Sequence, residues 1–134
     1  MLKRWLGGLV VGWLVIGLLG PALAMGEKAA PSKSTATFTL PQNGLPSVVK
    51  LGAEWCGPCR AMKPVLKELA GELKGKVNVL TVDIEENRDL ARQYKVSLIP
   101  TMIFFDRDGK AQAKVSGFQS KEQLRAKLKE LGLL

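Results

Sequence analysis

Cys56 and Cys59 are the only thiols in this 134-residue chain, and they stand three apart in "EWCGPCR". Gly57 and Pro58 lie between them and Trp55 comes just before. Two cysteines at this spacing can be a staple, half of a metal site, or a redox pair. As a staple the bridge closes four residues, worth roughly 2 kcal/mol in the chain-entropy estimate against about 3 for a fifteen-residue loop. As a metal site it lacks a second pair of ligands, and the chain contains no histidine to supply them. The missing histidine also removes any Cys-His or Ser-His-Asp arrangement. The redox reading asks least of the rest of the sequence. Cys56 then sits where a strand ends and a helix begins, close to unpaired backbone N–H groups and the positive end of the helix dipole. Those groups favour a thiolate, which is the attacking species. Gly57 is expected to ease the tight entry into the helix. Pro58 falls in the first turn, where its missing N–H costs nothing. Cys59, one turn on, faces inward as the resolving thiol.

The elements that must hold this pair can be read on either side of it. "SVVKLGA" is a buried strand running into the cysteines, with one discordant residue, Lys50. After Cys59, Met62, Val65, Leu66, Leu69 and Leu73 follow one helical face, and Pro64 inside it predicts a kink. "VNVLTVDI" predicts a strand, and "NRDLARQY" a short helix capped by Asn87. "TMIFF", "DRDG" and "KAQAKVSG" read as strand, turn and returning strand. Ser120 opens a last helix with Gln123 completing a capping box, and Leu124, Leu128 and Leu131 mark its buried side. "TFTL", just before the turn-rich "PQNGLP", predicts a further short strand. The order implies an α/β fold: a central mixed sheet with helices on both faces.

The amino-terminal part has a different character. Lys3 and Arg4 precede 22 uncharged residues from Trp5 to Gly26, and "PALA" carries the small-x-small pattern of a cleavage site. Residues 1–24 therefore read as an export signal cleaved after Ala24. The alternative is an uncleaved anchor, with residues 5–25 tethering the protein to the membrane. Both place the domain outside the cytoplasm. Residues 25–37, rich in Ala, Ser and Lys, read as a flexible leader, and 38–134 as the domain. The formal charge is +8, but lysines alternate with glutamates along the helices and no basic cluster is interleaved with aromatics. That pattern gives no support to nucleic-acid binding.

"AEWCGPC", Pro64 and "IPT" at 99–101 together resemble the thioredoxin family, from about Val48 to Leu131. The resemblance implies a thioredoxin fold and a thiol–disulfide oxidoreductase acting on protein thiols and disulfides through the Cys56/Cys59 pair, with no other cofactor and no metal. It implies that the Ile99–Pro100 bond is cis and lies against the disulfide. Trp55, Gly57, Pro58, Ile99, Pro100, Gly117 and Phe118 would then form the substrate-docking surface, with Ile99 able to pair with an extended segment. Gly-Pro between the cysteines resembles reducing members. The same cysteines would also serve an oxidant or isomerase, and the apolar patch alone would serve a binding or chaperone module. An exported reductant implies a membrane thiol–electron carrier as its source of electrons, and a monomer is expected. Two departures stand out. The family carries a buried aspartate where this chain has Lys50, and a lysine where it has Thr81. The family's opening strand and helix have no readable counterpart in residues 26–46. Lys50 has three readings: its head reaches water or pairs with Asp83 or Glu54, it stabilises a thiolate as an ammonium, or it acts as a base when neutral.

Overall fold

The structure is a computed structural model and describes residues 38–134. The expectations for residues 1–24, a signal or anchor, and 25–37, a leader, lie outside the described residues. Among the described residues, no helix is long and apolar enough to cross a membrane.

Seven elements follow in the expected order: β1 Ser47–Gly52, α1 Gly57–Glu72, β2 Asn78–Asp83, α2 Arg88–Gln93, β3 Thr101–Phe105, β4 Ala111–Ser116 and α3 Lys121–Glu130. The strands form one sheet in the order β2-β1-β3-β4. β1 runs parallel to β2, as the intervening α1 crossover requires, and antiparallel to β3; β3 and β4 form a hairpin. β1 and β3 are buried along their whole length, which explains their continuous apolar runs.

The two faces of the sheet are covered separately. Val48, Met102 and Phe104 pack with Met62, Leu66 and Leu69 of α1 and Leu124 and Leu128 of α3. Val49, Leu51, Ile103 and Phe105 project the other way, beneath Leu90 and Tyr94 of the α2 region. The alternation of side chains along β1 thus sends Lys50 to the α1 face, the same face as the cysteines. Pro64 lies inside α1 without dividing it.

Two local expectations need correction. "TFTL" forms no strand in its described part, Phe38–Leu40; Phe38 and Leu40 instead pack against the α2-side core. Asn87 precedes α2 but its side chain caps nothing there. Its amide donates back to the Asp83 carbonyl at 3.1 Å. Leu131 lies on the expected side and packs against the same core as Leu124 and Leu128, but it is only half-buried where they are sealed. The capping box at Ser120 and Gln123 forms in both directions.

Candidate functional site

The site lies where β1 gives way to α1. Cys56 is the N-cap residue of α1, and its Sγ accepts the Cys59 N–H at 3.3 Å. The sulfur thus takes the place that a serine or aspartate oxygen occupies in an ordinary cap. Pro58 falls in the first turn, as expected. Cys56 and Cys59 are joined in a disulfide with Cα atoms 5.2 Å apart. Cys56 is 6% exposed and Cys59 1%. The expected contrast of an open first thiol and a covered second one is therefore narrow. Ala53 shares a buried cluster with both cysteines, and Ile84 and Ile99 pack against that cluster.

The second strand of chain at the site arrives from α2. The Ile99–Pro100 peptide bond is cis. Ile99 packs against the disulfide, and no backbone hydrogen bond engages it among the described residues. Pro100 is buried, and its carbonyl accepts the Gly117 N–H at 2.7 Å, tying the β4 exit to this loop. Gly117 has φ +92, a conformation that L side chains rarely adopt. Thr101 anchors the same corner: its hydroxyl bonds to the Leu98 carbonyl and to Ser116 Oγ.

Trp55 is 66% exposed, so its ring is not part of the core. Phe118 is also exposed. Leu98, which the sequence reading passed over, is a third large apolar side chain in solvent, next to Ile99. Gly57 and Pro58 are exposed between the cysteines. The tight entry assigned to Gly57 is not present: a Cβ there would meet nothing within 4 Å, and its φ lies outside the positive range.

Gly52 is the residue whose role the sequence reading missed. A Cβ at this position would lie 2.9 Å from Cys59 Sγ, 3.2 Å from Cys59 Cβ and 3.3 Å from Lys50 Cε. The signal was present as a glycine near the end of an otherwise apolar strand, which marks a close approach.

Lys50 ends beneath the second cysteine. It is 2% exposed, and its Nζ donates to the Cys59 carbonyl at 3.4 Å. The reading in which its head escapes to water, or pairs with Asp83 or Glu54, is overturned. Glu54 is held by Lys63 at 2.7 Å, and Asp83 accepts the Glu85 N–H at 2.7 Å. Burial, with the Lys63 charge adding to it, pushes the Lys50 ammonium below its ordinary range, while Glu54 and Asp83 pull the other way. Glu54 in turn is held below the usual carboxylate range by the Lys63 hydrogen bond.

A strand–helix junction with a dithiol cap, a cis-proline loop against it and an apolar rim is the arrangement of one family, and the family's model, Thioredoxin, matches residues 33–130. The chain belongs to the thioredoxin family. It is 48% identical over 83 residues to the thioredoxin of Staphylococcus saprophyticus, spanning 62% of this chain and 78% of that one. It is 49% identical over 77 residues to the thioredoxin of Staphylococcus epidermidis, covering 58% and 73% respectively. Its fold superposes on the crystal structure of chloroplastic thioredoxin z with a TM-score of 0.61 and 27% identity, over 67% of this chain and 80% of that chain. As a member of this family, the protein is a thiol–disulfide oxidoreductase whose redox couple is Cys56–Cys59.

Proposed function

We propose that this thioredoxin works outside the cytoplasm as a reductant of protein disulfides. The observation that carries the mechanism is the Cys56 cap. Its sulfur accepts the Cys59 N–H in the first turn of α1, so as a thiolate it is stabilised by that hydrogen bond and the helix dipole. Cys56 attacks one sulfur of a substrate disulfide, forming a mixed disulfide and expelling the other substrate sulfur as a thiolate. Cys59, one turn along and deeper, then attacks Cys56 Sγ as a thiolate. This closes the Cys56–Cys59 bond and releases the second substrate thiolate. Two electrons pass to the substrate, and the two departing thiolates take up two protons.

The docking surface is Trp55, Gly57, Pro58, Ile99, Pro100, Gly117 and Phe118. The uncommitted backbone of Ile99 supports pairing with an extended segment beside the disulfide. The Gly-Pro dipeptide supports the reducing direction. The basic start, apolar run and "PALA" pattern of residues 1–24 support export, with cleavage after Ala24 or retention as an anchor. An exported reductant is recharged by a membrane thiol carrier; it needs no bound cofactor or metal and acts as a monomer.

Changing Cys59 to Ser should trap substrates through Cys56. Trapping through Cys59 in the Cys56→Ser variant alone would reverse the roles. A reduction potential well below that of its compartment's disulfide-forming system marks a reductant, and one above it marks an oxidant. Fusing residues 1–40 to a reporter active only after export tests location; activity confined to the cytoplasm overturns it.

A further inference from the structure

The turn that leads into β1 takes no part in the thiol chemistry, yet its residues carry a reaction of their own. Asn43 and Gly44 stand there, exposed, between Pro41 and Pro46. The Asn43 side chain is held at three points. Its Nδ2 donates to Asn78 Oδ1 at 2.9 Å, and its Oδ1 accepts the Asn78 Nδ2 at 3.0 Å and the Leu45 N–H at 3.2 Å. Asn78 Nδ2 also donates to Ser47 Oγ at 3.1 Å. The asparagine pair thereby clasps the turn and the first residue of β1 to the first residue of β2. Gly44 has no such ties. Its N–H engages no acceptor among the described residues. Its φ is +69, and nothing lies within 4 Å of where a Cβ would stand. It borders an open cavity of about 340 Å³ shared with Leu40, Asp106 and Gly109, so water reaches it. Main-chain attack on an asparagine side chain asks for a nitrogen that is open to solvent, unshielded by a side chain and free of a hydrogen bond, and Gly44 meets all three conditions. It also asks for donors on the oxygen where charge gathers, and Asn43 Oδ1 has two. The other asparagines of the chain are Asn78 and Asn87. The first is followed by β-branched Val79 within β2, the second by Arg88, which opens α2.

We infer that Asn43–Gly44 is a site of spontaneous deamidation, where the asparagine becomes aspartate or isoaspartate with loss of ammonia. Hydroxide from solvent takes the Gly44 N–H proton, and the nitrogen attacks Asn43 Cγ. The new C–N bond closes a succinimide ring. The Cγ–Nδ2 bond breaks, and Nδ2 leaves as ammonia with a proton from water. Water then adds to either ring carbonyl and opens the ring, to aspartate or to its β-linked isomer. No electron is transferred, and water is the only co-reactant. The consequence is mechanical. Asn43 loses the donor that met Asn78, and a carboxylate oxygen is left facing Asn78 Oδ1, two acceptors with no proton between them. The β-linked product also lengthens the main chain by a carbon atom. The clasp opens at the ends of β1 and β2 that lie away from the cysteines. The change accumulates with the age of the molecule and leaves the thiols in place.

The test uses the folded, oxidised protein, kept in warm, mildly alkaline buffer and sampled at intervals for peptide mass. Conversion adds about one dalton, and an enzyme that methylates isoaspartate alone marks the β-linked product. The gain is expected at the peptide holding Asn43, roughly tenfold faster than at those holding Asn78 and Asn87. Gly44→Ala should slow it by a similar factor. Alanine is strained at φ +69, so Asn43→Gln serves as the second variant. It keeps a side-chain amide but requires a larger ring, and the gain at this position should disappear. An Asn43 peptide that changes no faster than the other two overturns the inference. So does a gain without isoaspartate, since direct hydrolysis of the side chain gives aspartate alone. Hydrogen exchange reads the consequence. In Asn43→Asp the Asn78 N–H, which donates to the Pro46 carbonyl at 2.9 Å, should exchange severalfold faster than in the unchanged protein. Equal exchange overturns the opening of the clasp.

Discussion

The floor beneath the disulfide and the seam between α1 and α3 both place lysine close to α1, and they treat it in opposite ways. At the seam, Lys121 reaches Glu68 at 3.0 Å and Glu72 at 2.8 Å, and Arg125 also engages Glu72. Hydrogen bonds that Lys121 donates to Glu72 and Glu68 raise its proton affinity well above the ordinary lysine range. Under the disulfide, Lys50 has no carboxylate and one carbonyl, and burial lowers its proton affinity. The seam charges lie at the surface above a leucine-packed interior, so solvent screens them and each can be replaced. Lys50 is sealed from solvent, so burial rather than pairing sets the direction in which its proton affinity moves. The comparison teaches that position relative to water, and not residue type, decides whether pairing or burial sets a lysine's proton affinity.

Leu128→Ala would test the seam most severely. Leu128 is fully buried in the cluster shared by α1, α3 and the sheet, and such truncations cost about 2–5 kcal/mol. Urea unfolding should show that loss while the reduction potential stays in place; a shifted potential would mean that the seam and the floor are not separate regions. Gly52→Ala probes the floor from the other side. Its methyl would press on Cys59 Sγ at 2.9 Å, so a destabilisation of about 1–3 kcal/mol is expected by the same measurement, together with slowed closure of the disulfide. Full stability would show that the floor yields more readily than its packing implies. Ser120→Ala removes the cap that accepts the Gln123 N–H at 3.3 Å and should cost about 1 kcal/mol without touching the thiol kinetics.

Glu72→Gln is the mildest. The Lys121 and Arg125 hydrogen bonds hold the Glu72 carboxyl below its ordinary value of 4.5. A lowered carboxylate stabilises the fold above that value, and the contribution fades as pH falls through the folded-state value. The variant should therefore lose a little stability at neutral pH and show a flatter acid limb below about 4.5. An unaltered acid limb would remove Glu72 from the account of the seam.

Much of this was legible in the sequence because short-range rules dominate. The period of Met62, Leu66 and Leu69 gave α1, and Ser120 with Gln123 gave the start of α3. The cysteine spacing gave the chemistry, and "IPT" gave the cis-proline through family resemblance. What was not legible depends on distance in space. Gly52 matters because Cys59 comes back over it, and nothing in "KLGAEW" states how closely. Lys50 could be flagged as discordant, but whether its head met water or the Cys59 carbonyl depended on what α1 laid across it. The failed strand at "TFTL" had the right residue types, yet Phe38 and Leu40 found their burial against the α2-side core instead. Trp55 lies in solvent, an exposure that its residue type alone does not state.

The strand β4 carries one more consequence. It is the sheet's margin beside β3, pairs with it through an irregular register at Phe104 and Phe105, and turns Gln112, Lys114 and Ser116 to solvent. Lys114 is further committed, donating to the carbonyls of Tyr94 and Lys95 at the end of α2. Polar, irregular and cross-tied, β4 is a poor template for strand-on-strand growth. This border of the sheet therefore does not invite a further strand, and growth of the sheet in that direction is blocked by the same side chain that ties β4 to the end of α2.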